Sequence, residues 1–111
     1  MKDLILCSGY NVYPRMVEEA IYLHPSVAEV TVIGIDDDYR GQSPKAFVKL
    51  KDGEQVTEIE MKSFLEDKLS KIEMPSEIEF RLELPKTIIG KLSKKELVAE
   101  EVGKNQKSAT S

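Results

Sequence analysis

The stretch PKTIIGKLSKKEL, Pro85 to Leu97, carries conformational stop and start signals on both sides of one lysine. Pro85 fixes its own φ and biases Leu84 away from helix, so a preceding strand must end there. Gly90 tolerates positive φ and allows a tight bend immediately before Lys91. Ser93 with Glu96 three residues later reads as a capping box, and Leu92 and Leu97 occupy the positions of a hydrophobic staple. Strand, short loop and helix therefore follow one another, with Pro85, Thr87 and Gly90 supporting a loop that presents Lys91. An ammonium held beside a glycine suits a mobile phosphate, because it is a compact point charge with three donors. An exposed loop lysine in an arbitrary domain is nonetheless most often a solvated surface charge.

The rest of the chain supplies a frame for that loop. Upstream of Pro85, Ile78, Phe80, Leu82 and Leu84 alternate with Glu77, Glu79, Arg81 and Glu83, a period of two that predicts a strand with one wet face. Val27 to Ile35 is rich in β-branched residues and reads as a strand buried on much of both faces, expected at the centre of the sheet. Ala46 to Leu50 is a further strand, stopped by Asp52-Gly53. Asp3–Leu6 and Asn11–Tyr13 form a hairpin around Ser8-Gly9-Tyr10, with Gly9 in the turn. Pro14 opens a helix with Met16, Val17, Ala20, Ile21 and Leu23 as its apolar stripe, ending near His24 because Pro25 follows. Thr57 and Glu60 form a second capping box before Met61, Phe64, Leu65, Leu69 and Ile72. The last helix runs from Lys94 to about Val102. Past Gly103 there is nothing to bury, and residues 104–111 are expected to be a disordered tail. The order β-β-α-β-β-α-β-α predicts one α+β domain over residues 1–103: a small mixed sheet of about three main strands plus an N-terminal hairpin, covered by three helices.

Several function classes fall away. At 111 residues the chain makes one modest core. A formal net charge of −4 argues against a nucleic-acid binder, with Lys91, Lys94 and Lys95 the nearest approach to a basic cluster. One cysteine, Cys7, and one histidine, His24, exclude an internal disulfide, a cysteine metal cluster and any two-imidazole site. Asp36, Asp37 and Asp38 are consecutive and lack the spaced ligands of a calcium loop, so no metal site is expected. There is no apolar run of roughly 18 to 20 residues for a transmembrane segment and no secretory signal pattern, and the expected location is cytoplasmic. No nucleophile with a base and no glycine-rich phosphate cradle is present. Composition and spacing alone stop at an α+β domain with one presented lysine.

Two segments carry a resemblance. KDLILCSGYNVYPRMVEEAI, Lys2 to Ile21, and LPKTIIGKLSKKEL, Leu84 to Leu97, resemble the signature segments of the small C-terminal domain of adenylate-forming acyl-CoA synthetases, and DDDYRGQSPKAFVKLK resembles the segment between them. Such enzymes activate a carboxylic acid with ATP to an acyl adenylate, then pass the acyl group to coenzyme A, and the small domain rotates to serve both steps. The resemblance implies that Lys91 reaches the α-phosphate and the attacking carboxylate during adenylation. It implies that Lys2 is the hinge, so that the chain is expected to begin there as a domain separated from its larger partner. Ser8-Gly9-Tyr10 would enter the active site in the thioester-forming arrangement, with Gly9 leaving room for the pantetheine arm of the CoA tunnel. Arg81 lies where some relatives contact coenzyme A phosphates, while pairing with Glu79 or Glu83 is the other reading of an exposed strand arginine.

The wording SGYNVYP is most similar to long-chain fatty acyl members. Gln42 departs from the glutamate many relatives have, and Lys94-Lys95 from a frequent arginine pair. What the resemblance implies is a lid that binds no cofactor alone and is inactive alone, whose partners are the missing N-terminal domain and the substrates ATP, fatty acid and coenzyme A, with magnesium used by the complete enzyme. The alternatives are the lid of a peptide-synthetase or aryl acid adenylation enzyme, and a freestanding interaction module that uses an exposed sheet edge.

Overall fold

The computed structural model describes residues 4–110, with side chains described as far as Gly103. Its elements are β1 (Ile5–Cys7), β2 (Tyr10–Val12), α1 (Pro14–Tyr22), β3 (Val27–Asp37), β4 (Gly41–Leu50), α2 (Glu58–Leu65), β5 (Glu77–Phe80) and α3 (Lys95–Thr110). The expected α+β class and the expected order of elements are both observed. Strands β3 and β4 form a long antiparallel ladder, from Val27 opposite Leu50 to Asp37 opposite Gly41. The other side of β4 pairs with β5 in parallel and with β1 through Cys7 and Gly41, so the sheet is mixed. β1 and β2 close the N-terminal hairpin.

The centre of the sheet is therefore β4, not β3 as its β-branched content suggested. Composition reports burial of both faces, which β3 does have, but says nothing about whether a strand has one hydrogen-bonding neighbour or two. The outer edge of β3 is covered instead by α1. Tyr22 Oη accepts from Val30 N–H at 3.3 Å, and Glu18 Oε2 accepts from Val32 N–H at 2.9 Å.

Side-chain alternation divides the core between the two faces. On one face Val30, Val32, Ala46 and Val48 pack with Val17 and Ile21 of α1 and with Met61 and Leu65 of α2. On the other, Ile33 and Phe47 pack with Leu84, Leu92 and Leu97, which brings α3 onto the sheet. The capping box of α2 forms as expected: Glu60 N–H donates to Thr57 Oγ1 and Thr57 N–H to Glu60 Oε1. Asp37 Oδ1 accepts from the backbone N–H groups of Tyr39 and Arg40, which holds that carboxyl below its ordinary pKa and gives the aspartate run a turn-capping role.

Other expectations shift. β5 ends at Phe80, and Leu82 is almost fully exposed although the alternation put it on the dry face. The strand keeps one more bond, Arg81 N–H to the Val48 carbonyl, then leaves the sheet so that Leu84 enters the second core. Met16 and Leu23 are exposed, since α1 buries the narrower stripe Pro14, Val17, Ala20 and Ile21 and ends at Tyr22. Leu69 and Ile72 do pack on the core, but from the turns that follow α2. α3 begins at Lys95, and the hydroxyl of Ser93 bonds the carboxylate of Glu96 in place of the reciprocal capping box. The helix bounds are Lys95 to Thr110, so Gly103 lies inside it. A single interior glycine costs a helix only about 1 kcal/mol, and no proline follows to stop it. No helix among the described residues is long and apolar enough to cross a membrane.

Lys45 is the one charged side chain among the largest fully buried groups. Its Nζ lies 3.0 Å from Glu77, 3.1 Å from Glu79 and 3.0 Å from Glu101 of α3, and 4.8 Å from the centre of the Phe47 ring. Burial disfavours its charge, yet the hydrogen bonds it donates to Glu101, Glu77 and Glu79 outweigh that and raise its pKa above the ordinary lysine value. Burial likewise pushes Glu79 up, but Arg81 and Lys45 win and hold it below the ordinary value. A raised lysine stabilises the fold below its unfolded pKa of 10.5 and loses that contribution as pH rises through the folded value. A lowered glutamate stabilises above 4.5 and loses its contribution as pH falls. The unfolding midpoint of the domain should therefore hold across neutral pH and fall in acid below 4.5 and in alkali above 10.5. Lys45→Met should lower stability by about 3 kcal/mol in urea titrations and flatten both limbs. Thr57→Ala, which removes the N-cap of α2, should cost about 1 kcal/mol and leave the alkaline limb unchanged.

Candidate functional site

The loop that bears Lys91 is closed by its own backbone. Lys86 and Leu92 face each other in an isolated antiparallel bridge. Inside it, Thr87 N–H donates to the Lys91 carbonyl at 2.7 Å, Gly90 N–H to the Thr87 carbonyl at 2.9 Å, and Lys91 N–H to Thr87 Oγ1 at 3.3 Å. Gly90 sits at φ +84°, where a Cβ would be strained whatever the free space, and this explains a glycine immediately before the lysine. Pro85 contributes its carbonyl, which accepts from Ser93 N–H at 2.9 Å. The three supporting residues named from sequence thus all belong to the loop's bonding. Lys91 is exposed at the end of this bend, and among the described residues its ammonium has no ion-pair partner.

Two ion pairs tie the feet of the loop to other elements. Lys86 Nζ lies 2.9 Å from Glu29 Oε2 on β3, and that carboxylate raises the lysine pKa above its ordinary value. Lys94 Nζ lies 3.3 Å from Glu18 Oε2 on α1. Leu92 and Leu97 flank Lys94 in the chain and pack with Ile33 and Phe47, so the two leucines share a cluster as expected, although with α3 starting at Lys95 they no longer hold the staple positions. Sequence gave no signal for Glu18 or Glu29, since each sits on an element distant in the chain and looks like one more surface glutamate.

Ser8 and Gly9 form a two-residue turn between β1 and β2, at φ 54° and 81°. Positive φ at both positions matches the twist of the flanking strands. Nothing lies within 4 Å of where a Gly9 Cβ would stand, and Tyr10 is exposed beside it. Ser8 N–H donates to the Arg40 carbonyl at 2.8 Å, which fixes the turn at the Asp37–Gly41 end of the ladder. The lysine loop is tied near Glu29, at the other end. At roughly 3.3 Å per residue the two attachment points are about 25 Å apart along β3. The candidate residues therefore form two groups on the ladder: the glycine turn at the Arg40 end, and the lysine loop tied at Glu29 and, through Glu18, at Val32.

Arg81 belongs to neither group, although its N–H bonds the Val48 carbonyl opposite Val30. Its guanidinium bonds both oxygens of Glu100 on α3 at 2.6 and 3.2 Å, pairs with Glu79, and lies 4.8 Å from the centre of the Phe47 ring. Pairing with Glu79 is the arrangement seen, and Glu83 pairs instead with Lys49. Gln42, the departure from glutamate, accepts from Leu6 N–H through Oε1 at 3.0 Å, a bond either side chain can make. The proposed hinge, Lys2, lies outside the described residues.

Residues 16–91 match the model of the AMP-binding enzyme C-terminal domain. A long-chain-fatty-acid–CoA ligase of Bacillus subtilis is 46% identical over 100 residues, covering 90% of this chain and 18% of its own length. A 2-succinylbenzoate–CoA ligase of Bacillus cereus is 47% identical over 95 residues, covering 86% and 19%. The crystal structure of a Brucella canis acyl-CoA synthetase superposes with a TM-score of 0.85 at 39% identity, over 93% of this chain and 20% of that one. The chain spans about a fifth of the length of these relatives. With a family model over residues 16–91 and a fold shared with its solved members, the chain belongs to the AMP-binding enzyme C-terminal domain family.

Proposed function

We propose that the domain is the mobile C-terminal lid of an AMP-forming ligase that joins a long-chain fatty acid to coenzyme A. The observation that carries this is the pair of opposed ends: an exposed lysine on a closed loop at one, and a glycine turn facing open space at the other. In the first step the acid's carboxylate attacks the α-phosphate of ATP and diphosphate leaves. Negative charge grows on the nonbridging oxygens and on the leaving group, and the Lys91 ammonium stabilises it more strongly there than in the ground state. The nucleotide, its magnesium and the acyl pocket belong to the larger domain. Rotation of the lid about Lys2 then withdraws Lys91 and brings Ser8, Gly9 and Tyr10 forward. The thiol of coenzyme A attacks the acyl carbonyl and AMP leaves.

Attachment points about 25 Å apart on one ladder, Glu29 for one foot of the lysine loop and Arg40 for the glycine turn, support a reading in which the two act by turns. The long-chain acid is favoured by the wording of the SGYNVYP segment and by the Bacillus subtilis relative. Use of the β3 edge as a strand-addition surface is disfavoured, because Glu18 and Tyr22 already bond its outer N–H groups.

In the complete enzyme, Lys91→Ala should slow diphosphate release from ATP and acid by about a hundredfold to a thousandfold, the scale of one preorganised charge-stabilising donor. Thioester formation from supplied acyl adenylate should survive. Equal damage to both half-reactions would refute the assignment. Gly9→Ile should show the reverse pattern, with adenylation intact and coenzyme A consumption impaired. The 111-residue chain on its own should release no diphosphate when given ATP, magnesium and palmitate.

A further inference from the structure

We propose that Glu18 and Glu29 are positioning residues for Lys91, acting as two clamps on the feet of its loop; this deepens, and rests on, the reading of Lys91 as the adenylation lysine. The segment Thr87–Lys91 touches the body of the domain little. Ile88, Ile89 and Lys91 are exposed, and its backbone bonds close on one another across the loop. Those bonds fix the shape of the bend but not its orientation on the sheet. Orientation comes from the feet, where Leu84 and Leu92 enter the second core and where Lys86, immediately before Thr87, is held by Glu29 and Lys94, three residues after Lys91, by Glu18.

Both carboxylates are well placed to transmit rigidity. Glu29 stands on β3 within the ladder, paired across it with Lys49. Glu18 Oε2 also accepts the Val32 N–H at 2.9 Å, so the oxygen that meets Lys94 is itself pinned to β3. The pairs are partly shielded, with Glu18 and Glu29 side chains 19% and 24% exposed and Lys94 and Lys86 32% and 36%. Shielding reduces the solvent screening that makes fully exposed pairs worth little. A displacement of about 1 Å at a reacting group can cost up to a hundredfold in rate. Clamps that hold a lysine loop to one strand are thus worth far more to the adenylation rate than to the stability of the fold.

The geometry also dictates selectivity. The Glu29 clamp lies at one end of the ladder and the Glu18 clamp at its middle, by Val32, while the Ser8-Gly9 turn is attached at the Arg40 end. Loosening the clamps should leave the second half-reaction untouched. Glutamine is the appropriate substitution at residue 18, since its amide oxygen still accepts from Val32 N–H and only the charge facing Lys94 is lost.

The test uses the complete enzyme with Glu18→Gln, Glu29→Gln, Lys86→Met and the double variant of residues 29 and 86, beside Lys91→Ala. Diphosphate release and thioester formation from supplied acyl adenylate are measured separately. Each glutamine variant should lower kcat for adenylation about tenfold, with KM for ATP within about twofold and thioester formation unchanged. The double variant should be no slower than Glu29→Gln alone, because both remove the same clamp. Unchanged adenylation in the glutamine variants, or losses that fall equally on both half-reactions, would overturn the inference. If Lys91→Ala abolishes adenylation while the glutamine variants do not, the clamps alone are refuted. If Lys91→Ala leaves adenylation intact, the reading of Lys91 fails, and the clamps with it.

Discussion

The antiparallel ladder between β3 and β4 is the constraint on which everything else hangs. Its register, Ile33 opposite Lys45 and Thr31 opposite Phe47, decides which side chains face each layer of helices. A slip of one residue would send Val30 and Val32 to the α3 face and expose Ile33 to α1 and α2. The same ladder sets the distance between the two candidate ends, because the lysine loop is tied near Glu29 and the hairpin turn near Arg40. A lid that presents two different ends in turn needs a spacer that does not flex, and a paired strand of this length with both faces buried supplies one.

The second face is unusual in what holds it. Ile33, Phe47, Leu84 and Leu97 make a small apolar cluster, and beside it a buried ammonium gathers carboxylates from β5 and α3. Arg81 extends the cluster through Glu79 and Glu100. Charge pairs of this kind are weak as net stabilisers but costly to break singly, so they specify one docking of α3 rather than tighten it generally. Because α3 follows the lysine loop within a few residues, that docking and the Glu18 and Glu29 pairs fix the loop from both directions. Lys45, Lys49, Lys86 and Lys94, which surround the lysine loop and the sheet, all have carboxylate partners, whereas among the described residues Lys91 has none.

Much of this was legible in the chain. Local signals, which depend on residues within a few positions, performed well: Pro14 at a helix start, the Thr57–Glu60 box, the Gly9 turn and the bend at Gly90 are all in place. The signals that misled were those whose outcome depends on distant partners. β-branched content put β3 in the centre when a helix covers its outer edge, and the alternation through Leu82 outlasted the strand because Leu84 had a core to enter. The Ser93–Glu96 box lost its expected form by one residue, with hydroxyl and carboxylate bonding each other. Arg81 was readable as a strand arginine with a glutamate two positions away, but not as the partner of Glu100 on a different element.

Sequence alone determined the order of elements, the closed bend behind Lys91 and the glycine turn at Ser8-Gly9, because each follows from the φ preferences and hydrogen-bonding reach of neighbouring residues. Only the tertiary structure decided that Lys45 is buried among three glutamates, that Glu18 and Glu29 meet the feet of the lysine loop, and that the glycine turn is attached at the Arg40 end of the ladder. Those outcomes depend on which of twenty carboxylates meets which of sixteen cations. Coulomb attraction carries no address of its own, so the pairing is set by strand register and helix docking rather than by the charges.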